Sequence, residues 1–285
     1  MKYFFIFLLS INTCLAQKII VKDESGNALA NVSIFLVQET NSIIAVTDSI
    51  GEAEISLDDN AKYLLHLVGY ADLSLTGIQI KKGKSIRLDE FVNHLEEVVI
   101  GLKKSKTIKI ISQQTGFNWG FPNSLKSVIE KVVPIKIDQE GFLKKFTLSL
   151  AGNSNHNTRI FRFILFENVN GLPGRFFVEE NIEGVILGHK MVFDLSKLYL
   201  LLKNGSYFIG FETANNGSFD QREVKEAKKN EGWISGSTQI KSKFIKNSIS
   251  YIRRNLSVWE KDNGNIQGSQ MYLNMAYELE MDIVN

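Results

Sequence analysis

The 285-residue chain reads as all-β, folded as two β-sandwiches, and three observations carry that reading. Apolar and polar residues alternate at period two in short runs, as half-buried strands require. Those runs are separated by clusters of Gly, Asn, Asp and Ser, which supply turn conformations. Nowhere do strands alternate regularly with helical patterns, so a parallel α/β sheet is excluded.

The first sixteen residues form a unit of their own. Lys2 is followed by a run from Tyr3 to Ile11 that is apolar apart from Ser10, and Cys14-Leu15-Ala16 places small residues three and one before Gln17. This is the build of a secretory signal peptide, too short for a membrane span, and it predicts an exported protein, periplasmic or at the cell surface. A lipid on Cys14 would want small residues at Asn12 and Thr13, so cleavage after Ala16 is the expectation. Cys14 is the single cysteine, so the remaining chain is held by its core alone, without disulfides.

From Lys18 to Leu88 the strands are short. Ile19-Ile20-Val21 precedes the turn residues Asp23 to Asn27; Val32, Ile34 and Leu36 alternate before Thr40-Asn41-Ser42. Ile44 and Val46 lead to Thr47-Asp48-Ser49-Ile50-Gly51, and Ala53, Ile55 and Leu57 return the chain to Asp58-Asp59-Asn60 and then Tyr63 to Val68. Leu95 to Ile100 reads as a last strand, and the lysines from Lys103 onward as a basic crossing. The expected boundaries are 1–16 signal peptide, 17–101 first sandwich, 102–114 linker and 115–285 second sandwich.

The second unit has longer strands. Phe146, Leu148 and Leu150 share a face, as do Phe161, Phe163 and Leu165, then Tyr207, Ile209 and Phe211. Met271 to Met281 alternates as one long strand. Polar turns and only three prolines fit a jelly-roll-like sandwich. Ser124 to Val133 suits a helix or a strand equally, and Asp220 to Glu231 reads as a solvated loop or short helix.

The first unit resembles a known family. The order Val21-x-Asp23-x-x-Gly26-x-x-Leu29-x-x-Val32-x-Ile34, Thr47-Asp48-x-x-Gly51 and Leu67-Val68-Gly69-Tyr70 is similar to the carboxypeptidase regulatory-like domain of exported Bacteroidetes proteins. That resemblance implies a seven-stranded sandwich of transthyretin or immunoglobulin type, an accessory module that serves many activities. In the pattern Gly26 and Gly51 take positive φ, Asp48 caps its own turn, and Tyr70 lies at the sandwich edge. Leu95 to Gly101 resembles the segment before the plug of TonB-dependent receptors, but the stretch that follows is too short for plug and barrel. Phe161 to Phe211, with a Leu172-Pro173-Gly174 turn and Asp194-Leu195-Ser196, resembles an uncharacterised jelly-roll region.

Chemistry is sparse. The formal net charge of +2 and scattered lysine clusters exclude a nucleic-acid surface. His94-x-x-Glu97, with His189 downstream, imitates a zinc-peptidase ligand set, yet residues three apart on a strand face opposite ways. No Gly-x-Ser-x-Gly elbow exists; His66 reads as a core or edge residue, His156 as a turn residue, and Glu179-Glu180 or Glu278 with Glu280 as surface carboxylates. Trp119, Trp233 and Trp259, in turn-rich surroundings, are the candidate ligand-stacking aromatics. The expectation is a non-catalytic exported envelope protein with a docking or spacer sandwich and a recognition sandwich. It needs no catalytic residue, metal or cofactor, and no transmembrane segment after signal cleavage. The sequence does not identify the partner; a glycan or another envelope protein would fit the reading, and a nucleic acid would not. The alternatives are a carbohydrate-binding or adhesion protein at the cell surface and, third, a zinc carboxypeptidase-like enzyme.

Overall fold

The computed structural model describes residues 17–38, 41–83, 85–90, 106–112, 117–124, 127–151, 159–178, 180–215, 233–246, 249–262 and 272–284. The signal segment, the pair His94 and Glu97, His156, and Asp220 to Glu231 lie outside these residues.

The described chain is all-β, in two sandwiches. The first contains β1 (Gln17–Lys22), β2 (Ser33–Leu36), β3 (Ser42–Val46), β4 (Glu52–Ile55), β5 (Lys62–His66), β6 (Leu73–Thr76), α1 (Gly77–Lys82) and β7 (Ile86–Arg87). Its seven strands form a three-stranded sheet, β4-β1-β7, and a four-stranded sheet, β3-β2-β5-β6. Val21, Val32, Ile34, Tyr63 and Leu65 fill the space between the sheets. The turns work through local hydrogen bonds. Asp48 Oδ1 accepts the N–H groups of Ile50 at 3.0 Å and Glu52 at 2.9 Å. Gly51 has φ +74°, and a Cβ there would lie 2.6 Å from the Val21 carbonyl, so the position admits glycine alone. Thr47 Oγ1 accepts from Val32 N at 2.9 Å and donates to the Leu29 carbonyl at 2.7 Å, tying β2 to the β3 end. The helix α1 departs from the all-strand expectation for this region. Gln79 turns back to accept the Thr76 N–H at 2.8 Å, a local cap that starts a single helical turn and a half between β6 and β7.

The second sandwich contains β8 (Lys106–Ile111), β9 (Phe117–Ser124), β10 (Ile129–Ile137), β11 (Gly141–Ser149), β12 (Arg159–Val169), β13 (Leu172–Phe176), β14 (Val185–Leu187), β15 (Lys190–Asp194), β16 (Leu201–Leu202), β17 (Gly205–Asn215), β18 (Trp233–Ile245), β19 (Tyr251–Arg254), β20 (Glu260–Lys261), β21 (Tyr272–Met275) and β22 (Tyr277–Ile283). One six-stranded sheet runs β13-β12-β17-β10-β19-β20; the other runs β14-β15-β11-β22-β8, with β16 also on β11. Successive long strands β10, β11 and β12 alternate between the two sheets, the jelly-roll-like habit. Phe146, Phe163, Phe193, Ile209, Phe211, Leu279 and Met281 pack between them. A third sheet, β21-β18-β9, extends one end.

Three local expectations are corrected here, and one left open between helix and strand is decided. Residues 106–111, read as linker, form β8, which pairs antiparallel with β22 from Lys106↔Ile283 to Ile111↔Glu278. Its lysines read as a solvated crossing because their partners are distant: Lys109 meets Glu278 at 2.6 Å and Glu280 at 2.9 Å. The stretch from Ile129 onward is strand, the centre of its sheet, with Ile129 to Val133 all buried. The long last strand is two, broken at Ala276, whose N–H goes to the Lys241 carbonyl at 2.9 Å as the chain changes sheets. Finally, Leu172-Pro173-Gly174 is not the turn. Asn170 (φ +55°) and Gly171 (φ +84°) make it, and β13 begins directly after.

Candidate functional site at the seam between the sandwiches

The sheet built on β12, β17 and β10 is apolar on both faces. Odd-numbered Phe161, Phe163 and Leu165 face the second core, whereas Ile164 and Phe166, with Val132 and Phe208, face outward and bury Val68 of the first sandwich. Phe35 and Ile43 meet Val128 in the same way. Asn41 and Asn255 exchange side chain-to-carbonyl bonds of 3.1 and 2.8 Å across the junction.

Ionised side chains are embedded in this seam. Glu212 on β17 and Arg162 on β12 are both 0% exposed, and Arg162 Nη1 donates to Glu212 Oε1 at 2.8 Å. His66, at the end of β5, lies between two carboxylates: Nε2 is 2.6 Å from Glu212 Oε2 and Nδ1 is 2.6 Å from Asp72 Oδ1. Arg162 Nη2 also donates to the Asn31 carbonyl at 3.1 Å, so both side chains of this strand pair reach into the first sandwich. A second pair lies beside the first: Arg253 on β19 grips Glu130 on β10 through Nε and through Nη2 at 2.6 Å.

Burial sets the protonation. Desolvation alone would depress His66, but the Glu212 charge and the two carboxylate hydrogen bonds outweigh it and raise the imidazole to about 10. Glu212 would be pushed up by its own burial; His66 and Arg162 overcome that and hold it near about 2. Glu130 is the reverse case, because burial exceeds the pull of Arg253 and its carboxyl is raised. Elsewhere, Lys131 points into the second core, where burial, only partly countered by contact with Asp262, lowers it to about 8.

A cleft of about 250 Å³ opens along the seam. Its apolar walls are Val68, Ile164, Phe166 and Phe176, and its polar rim is His66, Tyr70, Asp72, Glu130 and Arg253. Asp72 Oδ1 is taken by His66, and the Nε and Nη2 of Arg253 are taken by Glu130. That leaves Asp72 Oδ2 and Arg253 Nη1 without partners among the described residues.

The residues singled out from the sequence fall mostly elsewhere. Trp259 is half-buried, edge-on to Phe166 at 5.3 Å, with the Arg253 guanidinium 4.7 Å above its ring. It buttresses the cleft wall rather than forming an open platform. Trp119 and Trp233 belong to paired strands β9 and β18; their side chains lie outside the description. His189 is an exposed turn residue. Glu278 and Glu280 are tied to Lys109 rather than to each other. Asp58 Oδ1 caps the Asn60 N–H at 2.9 Å, and Asp59 pairs with Lys81 at 2.5 Å, so that acidic run is a turn. Among the described residues no group of three or more His, Cys, Asp or Glu is placed to hold a metal. Sequence reasoning passed over Arg162, Glu212, Asp72, Glu130 and Arg253. The signal was present in Phe161-Arg162-Phe163-Ile164-Leu165-Phe166: a strand apolar on both faces is covered on both, and a charge within it must be paired.

No family model and no curated protein matches the chain. Among solved structures, the chain is similar to the cysteine protease and lectin-like domains of Cwp84, a surface layer associated protein of Clostridium difficile. Identity there is 13%, over 86% of this chain and 46% of that one, with a TM-score of 0.37. The chain thus spans about half the length of that structure. A clostridial Cwp84 structure after propeptide cleavage matches at 12% identity over 95% of this chain and 71% of that one, TM-score 0.35. BcpA, the major pilin subunit of Bacillus cereus, matches at 10% identity over 94% and 68%, TM-score 0.18. Likenesses this distant carry no argument about what the chain does.

Proposed function

We propose that this chain is a non-catalytic, exported envelope protein in which a regulatory-like sandwich is docked against a larger recognition sandwich. The observation that carries the reading is the state of His66. Both its nitrogens are held by carboxylates, and it is kept charged, so it has no lone pair to act as a base. The groups at the seam that most resemble a catalytic cluster are used to hold the two sandwiches together. The first sandwich then acts as a fixed docking module, not as a swinging spacer. A panel of peptidase, esterase and glycosidase assays on the processed protein tests this, and turnover in any of them that is lost in His66→Ala would overturn it.

A second reading, a carbohydrate-binding or adhesion protein at the cell surface, is favoured by one feature, the aromatic-walled cleft in which Asp72 Oδ2 and Arg253 Nη1 have no hydrogen-bond partner among the described residues. It is compatible with the first reading, since it names a ligand rather than a reaction.

A further inference from the structure

We propose that the seam cleft binds a neutral polyhydroxylated ring, one terminal pyranose of a glycan; this rests on the recognition reading above. The cleft presents one carboxylate acceptor, Asp72 Oδ2, and one guanidinium donor, Arg253 Nη1, beside an apolar floor of Ile164, Phe166 and Phe176. A vicinal diol satisfies both, since one hydroxyl donates to Asp72 while its neighbour accepts from Arg253. The C–H face of the ring would lie on the aromatic side of the cleft.

Charge decides against the competing ligand, a zwitterionic amino acid with an apolar side chain. Asp72 is already neutralised by His66 and Arg253 by Glu130, so an ammonium at Asp72 would meet the imidazolium and a carboxylate at Arg253 would meet Glu130. Uncharged hydroxyls incur neither repulsion. Size sets the extent: at about 250 Å³ the cleft lies below the ~300–1,000 Å³ of sites for drug-sized ligands, enough for one ring and not for a chain of rings. A seam between domains is also where such sites concentrate.

The test is a glycan array with the intact exported chain, followed by calorimetry with the methyl pyranoside of the best-bound terminal sugar and, separately, with leucine. The expected result is pyranoside binding that Asp72→Ala weakens roughly tenfold or more, the loss of a hydrogen bond to a charged group. Phe176→Ala, at a half-buried position, should weaken it as well; this variant carries the test if Asp72→Ala loosens the seam, as thermal melts will reveal. Sugar binding unchanged in both variants would overturn the cleft as the site while leaving the recognition reading intact. Leucine binding in place of sugar would overturn the ligand class. A blank array with no hydrolytic turnover would overturn this inference alone, whereas turnover lost in His66→Ala would overturn the reading beneath it.

Discussion

Replacing Glu212 by Gln should loosen the whole seam. The carboxylate is fully buried, 2.6 Å from His66 and 2.8 Å from Arg162. Glutamine keeps its volume and removes its charge. Arg162 then stays buried with neutral acceptors only, the amide oxygen and the Asn31 carbonyl at 3.1 Å, and no counter-charge. His66 keeps Asp72, so the loss is closer to one orphaned cation than two. Removing one partner of a buried pair costs about 3–5 kcal/mol, and the retained Asp72 contact puts this case near about 3. At roughly 2–4 °C per kcal/mol for sandwiches of this size, the Tm should fall by about 6–12 °C. Urea denaturation at pH 6, followed by tryptophan fluorescence and circular dichroism, measures it. Adding Arg162→Met removes the orphaned charge and should recover part of the loss. A change below about 1 kcal/mol, the range of exposed ion pairs, would refute the reasoning.

Stability should also depend on pH in a specific way. The raised His66 contributes fully below its ordinary value near 6.5, and that contribution is lost as pH rises through about 10. The depressed Glu212 contributes above its ordinary value near 4.5 and loses that contribution as pH falls toward about 2. Urea midpoints should therefore be highest between these ordinary values, and His66→Gln should flatten the alkaline limb; an unchanged limb contradicts the assignment. Gly210→Ala would place a Cβ 1.8 Å from the Lys131 carbonyl, between β10 and β17, and should destabilise by roughly 1–3 kcal/mol in the same denaturation assay. Elemental analysis should find no stoichiometric zinc, and His94→Ala should melt like wild type; one zinc per chain, lost in that variant, would revive the peptidase reading. Intact mass of envelope protein should lack residues 1–16, and a diacylglyceryl adduct on Cys14 would contradict that.

Much of the fold was legible because half-buried strands announce themselves. Leu279, Met281 and Ile283 alternate with Glu280 and Asp282, and the structure buries the first set against the second core. Gly26 and Gly51 have the positive φ that their turns imply. What escaped the sequence is of two kinds. The strand β8 was hidden because its neutralising partners, Glu278 and Glu280, lie on the far side of the chain, so Lys106 and Lys109 looked like linker charges. The seam was hidden because Arg162 and Glu212 face each other across paired strands, and Arg162↔Glu212 is a matter of register that spacing along the chain does not give. His66 was read as core or edge, and it is at once buried and at the edge of its own sandwich, because a second sandwich covers that edge.

The central claim is that the two sandwiches behave as one body held at His66, Glu212 and Arg162. Hydrogen exchange followed by mass spectrometry on the intact chain tests it most directly. Amides of β2 and β5 in the first sandwich and of β10 and β17 in the second should open together at one rate-determining free energy, and Glu212→Gln should accelerate exchange in both sets. Independent opening of β2 and β5, untouched by Glu212→Gln, would contradict the account.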